Sequence, residues 1–239
     1  MNLLEMLLEQ KKVKLKGNIY HNTQIKLAYN TNRIEGSKLT EEETRYIYET
    51  NTILTDNKQT NVDDIVETVN HFFLFDFMLD KLNEILNESL IKSFHAILKR
   101  GTTYERKDWF NIGEYKKLPN EVGGKDTTLP ENVASDMQRL LLWYNEIENV
   151  GLEDIISFHH VFENIHPFQD GNGRVGRIIM FKECLKNNIV PFIIEDEYKA
   201  FYYRGLKEYE KENGYLTDTC LSMQDKYRSM VSKFAVNDK

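Results

Sequence analysis

Cysteine is scarce in this sequence: Cys184 and Cys220 are the only two in 239 residues. Two thiols so far apart exclude a disulfide-stapled scaffold and a C-x-x-C metal or redox pair, and they fit a reducing compartment. Proline and glycine are also sparse, four and twelve, as expected of long helices joined by few turns. Basic residues are outnumbered, 31 Lys and Arg against 38 Asp and Glu, for a net charge of −7. A general nucleic-acid binder presents a basic face, so that class is excluded, while a local basic pocket for a small anion stays open. No run approaches the ~18–20 apolar residues of a membrane span. In the opening MNLLEMLLEQKKVK the lysines follow the apolar stretch, the reverse of a secretory signal. The expectation is a cytoplasmic protein, bacterial in type, with neither membrane nor nucleic acid as partner. With 41% hydrophobic and 29% charged residues, the chain has the composition of a packed globular protein. Its length suits one large domain, or a core with an extension.

What is present is helical period. Residues 62–86 carry Ile65, Val66, Val69, Phe72 and Phe73 on one stripe. Stripes recur over 88–99 (Leu90, Ile91, Phe94, Ile97, Leu98), 131–148 (Val133, Met137, Leu140, Leu141, Tyr144), 152–162 (Leu152, Ile155, Ile156, His159) and 174–187 (Val175, Ile178, Ile179, Leu185). Such stripes need each other for burial, so the fold class is all-α, a helical bundle. Residues 111–130, NIGEYKKLPNEVGGKDTTLP, break the pattern with Gly113, Pro119, Gly123, Gly124 and Pro130, the chemistry of a β-hairpin or flap. A polar linker is expected at about 51–61, and a frayed tail over SKFAVNDK.

Residues 164–177 read NIHPFQDGNGRVGR. Gly171, Asn172 and Gly173 tolerate positive φ just before a helical stripe, a turn that gathers backbone N–H groups into an anion nest at a helix N-terminus. Arg174 and Arg177 follow on one face of the first helical turn, where cations oppose the helix dipole at roughly 0.3–1 kcal/mol each. A bound polyphosphate reverses that sign. His166 lies upstream, and Asp170 stands between the histidine and the nest. A base, a carboxylate, N–H donors and two guanidiniums are the parts that phosphoryl-type chemistry requires. The hexapeptide GNGRVG, residues 171–176, also satisfies G-x-G-x-x-G. That fingerprint has meaning only after a strand in a βαβ unit, and the upstream ISFHHVFEN is helical. No Walker loop is present.

HPFQDGNGRVGR, His166 to Arg177, resembles the Fic motif H-P-F-x-[DE]-G-N-G-R-x-x-R at every fixed position. The resemblance covers roughly 88–223, with the helix 62–86 packed as part of the same unit. It implies a Fic-fold helical bundle with a short β-hairpin flap. The implied activity is protein adenylylation, transfer of AMP from ATP to a Tyr, Ser or Thr hydroxyl of a protein target, with release of pyrophosphate. By that resemblance His166 takes the hydroxyl proton, and Asp170 holds Mg²⁺ (or Mn²⁺). Gly171, Asn172, Gly173 and Arg174 bind phosphate, and Arg177 grips the γ-phosphate. Val122, Gly123, Gly124 and Lys125 resemble the flap that borders the nucleotide, and Tyr202 an adenine-side aromatic. Some relatives have an asparagine where this chain has Glu210, which leaves base specificity open.

A second signal lies in residues 1–60. The segment QIKLAYNTNRIE ends at Gly36, a suitable C′ residue, so Glu35 sits at the wrong end of a helix dipole. On physics alone a solvated Glu35 is the plain reading, since surface charges cost little. TNRIEG, however, resembles the inhibitory motif [ST]-x-x-x-E-[GN] of Fic proteins with an N-terminal inhibitory helix, here about 24–36. The resemblance implies that Glu35 pairs with Arg177 and that Thr31 helps to hold the helix; self-modification once Glu35 is removed is a further expectation. Removal of AMP, use of another nucleotide, and a catalytically idle nucleotide sensor are the alternatives. Self-association is left open. His159, His160 and His166 could be read as metal ligands, but His159 falls on an apolar stripe and a core histidine is the better reading. His71 and His95 read as structural, and FFLFDF (72–77) as core. Thr40 and Glu43 read as a capping box. Gly176 should cost its helix ~1 kcal/mol relative to Ala, for no reason visible in the sequence.

Overall fold

The computed structural model describes residues 2–53 and 59–235. Among the described residues are ten α-helices and one two-stranded antiparallel sheet. The helices are α1 (Leu3–Val13), α2 (Ile19–Ile34), α3 (Glu41–Thr50), α4 (Val62–Asp80), α5 (Glu88–Lys99), α6 (Pro130–Asn145), α7 (Leu152–Ile165), α8 (Asn172–Lys186), α9 (Lys199–Glu208) and α10 (Gly214–Ala235). The strands are β1 (Glu121–Val122) and β2 (Lys125–Asp126), in register Glu121 with Asp126 and Val122 with Lys125. The fold is the expected all-α bundle with a small hairpin. The segment 171–176 lies at the start of a helix, outside any parallel sheet.

Local chemistry explains most boundaries. Asn2, Asn18, Thr40, Asn61 and Asn87 each accept a hydrogen bond from a first-turn N–H of the helix that follows. Thr40 and Glu43 form the expected capping box. Pro130 opens α6. Gly123 and Gly124 take φ of 58° and 76°, the left-handed pair that a tight hairpin demands.

Helix α8 is the axis of the molecule. Every residue from Asn172 to Leu185 is buried, which a helix achieves only at the centre of a bundle. Helices α7, α5, α4 and α2 surround it. One apolar cluster runs from Met6 and Leu7 through Phe75, Phe94 and Phe162 to Phe181 and Tyr227. Residues before position 60 therefore share a core with the rest. A smaller cluster of Ala28, Leu39, Ile47 and Phe72 ties α3 to α2 and α4.

Three expectations need correction. Helix α4 ends at Asp80 rather than running to 86, although Leu82 and Leu86 beyond its end remain buried in the same core. Phe73 is 52% exposed, lying under the Arg100 guanidinium, 4.7 Å from its carbon, so the 72–77 run is only partly core. Helix α10 persists to Ala235, through the first half of the segment expected to fray. Positions 54–58 of the expected linker, and 236–239 of the tail, lie outside the described residues.

Candidate active site

Helix α7 ends at Ile165, and His166 follows in the left-handed conformation (φ 51°, ψ 61°), its N–H donating to the Phe162 carbonyl at 2.9 Å. The next residues swing the chain across to α8. Asn172 closes that loop: its Oδ1 accepts from the Phe168 N–H and its Nδ2 donates to the Phe168 carbonyl, both at 2.8 Å. The Asn172 side chain is thus committed to loop shape. Gly171 stands at the N-cap with φ 86°. The first helical bond runs from Val175 N–H to the Gly171 carbonyl, 3.1 Å, so the N–H groups before Val175 lack helical partners, as at any helix N-terminus, an end suited to a negative charge.

His166 Nδ1 lies 3.3 Å from the Glu163 carbonyl. The contact assigns the proton to Nδ1 and leaves Nε2 with a lone pair. Burial and the nearby Lys116 ammonium push its pKa down to about 4. His166 is therefore neutral near pH 7, as a proton acceptor must be.

Arg177, 4% exposed, is held by α2. Its Nε donates to Thr31 Oγ1 at 2.7 Å, and Nη2 donates to the Thr31 carbonyl at 3.2 Å and to Glu35 Oε1 at 2.5 Å. Burial alone would raise the Glu35 carboxyl, but Arg177 and Arg174 hold it below the usual range. The same carboxylate lies against the first turn of α8: a methyl group on Gly173 would collide with Glu35 Oε1 and come within 2.9 Å of Arg177 Nη1. The negative end of α2 therefore meets the positive end of α8, relieving both misplaced charges. Thr31 bonds the arginine directly, a closer role than a brace for the helix. The end of α2 is held in turn by Lys199 and Tyr203, both donating to the Ile34 carbonyl, and by Asn30, whose Oδ1 accepts from Asp196 N–H at 2.9 Å.

Asp170 and Arg174 belong to a buried charge network. Arg174 pairs with Glu67 of α4 and lies 3.3 Å from Asp170 Oδ2. Lys99 of α5 pairs with Glu67 and lies 2.5 Å from the same Oδ2. Burial would raise the Asp170 carboxyl, yet Arg174 and Lys99 hold it far below the usual carboxylate range. His95 stacks on Phe168, with centroids 4.0 Å apart and planes 2° from parallel. Its Nδ1 accepts from Gly113 N–H at 2.9 Å, so Nε2 donates to the Asp170 carbonyl at 3.1 Å. Lys116 roots the flap. Its Nζ donates to Asn120 Oδ1, Thr127 Oγ1 and the Ile165 carbonyl, and its N–H to the Pro167 carbonyl at 2.8 Å. Sequence reasoning missed Glu67, Lys99 and Lys116, and took His95 as merely structural. A charge inside an otherwise apolar helical stripe, Glu67 next to Val66 or Lys99 next to Leu98, was the available signal.

Val122, Gly123 and Lys125 border a cavity of about 560 Å³ with Glu163, Asn164, Tyr203, Leu206 and Lys207. Gly124 lies at the hairpin tip and does not line it. Tyr202 is elsewhere: it is 1% exposed, and its hydroxyl sits 2.7 Å from His159 Nε2 and 3.4 Å from Arg177 Nη1. Its neighbour Tyr203 is the aromatic at the cavity, one residue along α9, because the helix turns that position outward. Glu210 is well exposed and lies 3.7 Å from His160 Nδ1. His159 is a core histidine. No group of three or more His, Cys, Asp or Glu suited to a metal occurs among the described residues. Gly176 now has its reason: a Cβ there would lie 2.7 Å from His159 Nδ1 and 2.8 Å from Glu163 Oε1, so α7 and α8 pack through it.

Residues 85–184 match the profile of the Fic/DOC family. The structure resembles that of a Fic domain containing signaling protein from Bacteroides thetaiotaomicron, with a TM-score of 0.79 and 21% identity over 99% of this chain and 97% of the other. It also resembles a Fic family protein from Desulfovibrio desulfuricans, with a TM-score of 0.72 and 21% identity over 96% of this chain and 72% of the other. In sequence it is similar to the protein adenylyltransferase Fic of Drosophila mojavensis, 28% identical over 187 residues, 75% of this chain and 35% of that protein. The counterpart from Drosophila grimshawi is 28% identical over the same length. The chain thus spans about a third of these curated relatives. No helix among the described residues is long and apolar enough to cross a membrane.

Proposed function

We propose that this chain is a protein adenylyltransferase restrained by its own α2 helix, which moves AMP from ATP to a hydroxyl on a protein target and, once released, on itself. The observation that carries the reading is one juxtaposition. A neutral His166 with a free Nε2 stands beside the N-terminus of α8, and Glu35 engages the arginine that a polyphosphate would need. The printed name of the Drosophila relatives, protein adenylyltransferase, supports it.

In this reading the target hydroxyl gives its proton to His166 Nε2 while its oxygen attacks the α-phosphorus. The bond from that phosphorus to the bridging oxygen breaks, and pyrophosphate leaves. The N–H groups of Gly171, Asn172 and Gly173 stabilise charge on the phosphate oxygens. Arg174, fixed by Glu67, adds positive potential behind them. Arg177 holds the γ-phosphate after Glu35 withdraws. Asp170 fits Mg²⁺ or Mn²⁺: it is a hard oxygen ligand, and Mg²⁺ commonly takes one or two carboxylates together with substrate phosphates. When bound, such an ion supplies charge neutralisation to the phosphates. The exposed β1–β2 hairpin beside the cavity is the surface on which a target segment would lie.

The test is incubation with labelled ATP and Mg²⁺, followed by mass spectrometry of the intact chain. Glu35→Gly should incorporate more AMP than wild type, and Glu35→Gly combined with His166→Ala none. No gain on removing Glu35 would refute restraint by α2, and equal incorporation with and without His166 would refute the assigned base.

A further inference from the structure

The most deeply buried cation of the site is outside the motif. The Lys99 side chain has no solvent exposure. Its ammonium faces two carboxylates, Asp170 and Glu67, and two aromatic faces, Tyr104 at 4.1 Å and Phe110 at 5.7 Å to the ring centroids. A buried ammonium is tolerable only when paired, and here both carboxylates belong to one cluster. Arg174 completes it, paired with the same Glu67 and lying 3.3 Å from Asp170. Two anions and two cations form a neutral quartet. The neighbouring Glu35 and Arg177 form a neutral pair of their own.

That balance has a consequence for a divalent cation. Asp170 Oδ2 already has an ammonium at 2.5 Å and a guanidinium at 3.3 Å. An ion arriving alone would meet a neutralised carboxylate and a fixed positive charge at contact distance. Lys99 does not reach water, because its side chain is fully buried against Tyr104 and Phe110 and Glu67 anchors it. A polyphosphate changes the sum, since its own negative charge outweighs the ammonium. We propose that Lys99 is a positioning residue that keeps divalent cations off Asp170 until a nucleotide brings them, so that the ion enters as a metal–nucleotide complex. Glu67 is the buried counter-ion that holds Lys99 in place. The proposal rests on reading Asp170 as the cation ligand.

The experiment is a Mn²⁺ titration followed by electron paramagnetic resonance, on the full chain, without nucleotide and with ADP. Wild type without nucleotide should bind Mn²⁺ no better than Asp170→Asn. Lys99→Met, without nucleotide, should bind at least tenfold tighter than wild type, because a unit charge a few ångströms from a divalent ion opposes it by more than that even at a high effective dielectric constant. Lys99→Arg, which keeps the charge, should match wild type. A residue with a merely structural role would weaken binding when removed, so a gain is diagnostic. Should Lys99→Met fail to fold, Lys99→Gln, which keeps a donor for Glu67, carries the same expectation. No gain in either neutral variant, or strong nucleotide-free binding by wild type that Asp170→Asn removes, overturns the proposal while leaving Asp170 as the ligand. ADP-supported Mn²⁺ binding that survives Asp170→Asn overturns the ligand assignment itself, and the proposal with it.

Discussion

Arg177 donates to three partners around one guanidinium, and the energy of each can be weighed separately. Glu35→Gln keeps the shape and an acceptor oxygen but removes the charge. A hydrogen bond to a charged group contributes about 1.5–3 kcal/mol and a neutral one about 0.5–1.5, so the substitution should free ~1–2 kcal/mol for a competing phosphate. That corresponds to roughly 5–30-fold in affinity. Thr31→Val removes the 2.7 Å contact from Nε at nearly constant shape, while the Thr31 carbonyl keeps its 3.2 Å contact with Nη2. The hydroxyl is an uncharged acceptor, so its loss should give a smaller gain than loss of the Glu35 carboxylate charge. Both gains should be seen with ATP and not with ADP, since ADP lacks the γ-phosphate assigned to Arg177. Calorimetry with a non-hydrolysable ATP analogue and with ADP, both with Mg²⁺, measures the difference. The two substitutions act on one guanidinium, so their combined effect should differ from the sum. Equal gains for both nucleotides, or a larger gain from Thr31→Val than from Glu35→Gln, would refute the assignment of the γ-phosphate to Arg177.

Three further outcomes are expected. With the His166 pKa pushed down to about 4, the imidazole stays neutral through the physiological range, so AMP transfer by Glu35→Gly should be flat with pH between about 5.5 and 7.5; an acid limb centred near 6.5, the ordinary histidine value, would contradict the burial argument. Burial raises the Glu163 carboxyl to about 8, so the folded chain holds a proton that the unfolded chain releases above pH ~4.5, and stability falls as pH rises through 8. Glu163→Gln should therefore melt a few degrees higher than wild type at pH 9 and no higher at pH 5, by differential scanning calorimetry. Gly176→Ala gains ~1 kcal/mol of helix propensity but crowds His159 and Glu163 at 2.7–2.8 Å, where overpacking costs about 1–3 kcal/mol; urea denaturation should show a lower midpoint, and a higher one would mean that α7 and α8 separate freely.

The legible parts of the sequence were those whose signal is local. Helix α5 was expected over 88–99 and spans Glu88–Lys99, because Asn87 caps it and the apolar spacing is regular. The loop from His166 to Gly173 was legible because glycine, proline and misplaced charge leave few conformations and one kind of ligand. The misplacement of Glu35 was visible in the same way, as a wrong-signed charge at a helix end. The illegible parts depend on crossings between distant helices. Nothing near Lys99 in sequence shows that α5 delivers its ammonium to a loop 71 residues away. Tyr202 and Tyr203 are adjacent aromatics on one helix, and only the packing of α9 against α7 decides which is buried against His159. Gly176 was unexplained for the same reason, since its justification is a side chain on another helix.

The charges of this site share a logic that explains why a helix with arginines in its first turn can be the most buried element of the fold. Such a helix is unfavourable twice over, through its dipole and through desolvation of Arg174 and Arg177. Each arginine is answered by a carboxylate from another helix, Arg174 by Glu67 of α4 and Arg177 by Glu35 of α2. The two answers differ in kind. Glu67 is enclosed between α4, α5 and α8 and is bound to a second cation, so it cannot leave without stranding Lys99. Glu35 stands at the end of α2, 26% exposed at its side chain, held by one arginine and by contacts to the Ile34 carbonyl beside it. Displacing Glu35 would leave one arginine to be paired again, whereas displacing Glu67 would strand two buried cations. The inner pair braces the motif helix, and in the proposed reading the outer pair is where an incoming phosphate exchanges one anion for another at little electrostatic cost. In that reading, a restraint located there is released without disturbing the buried core.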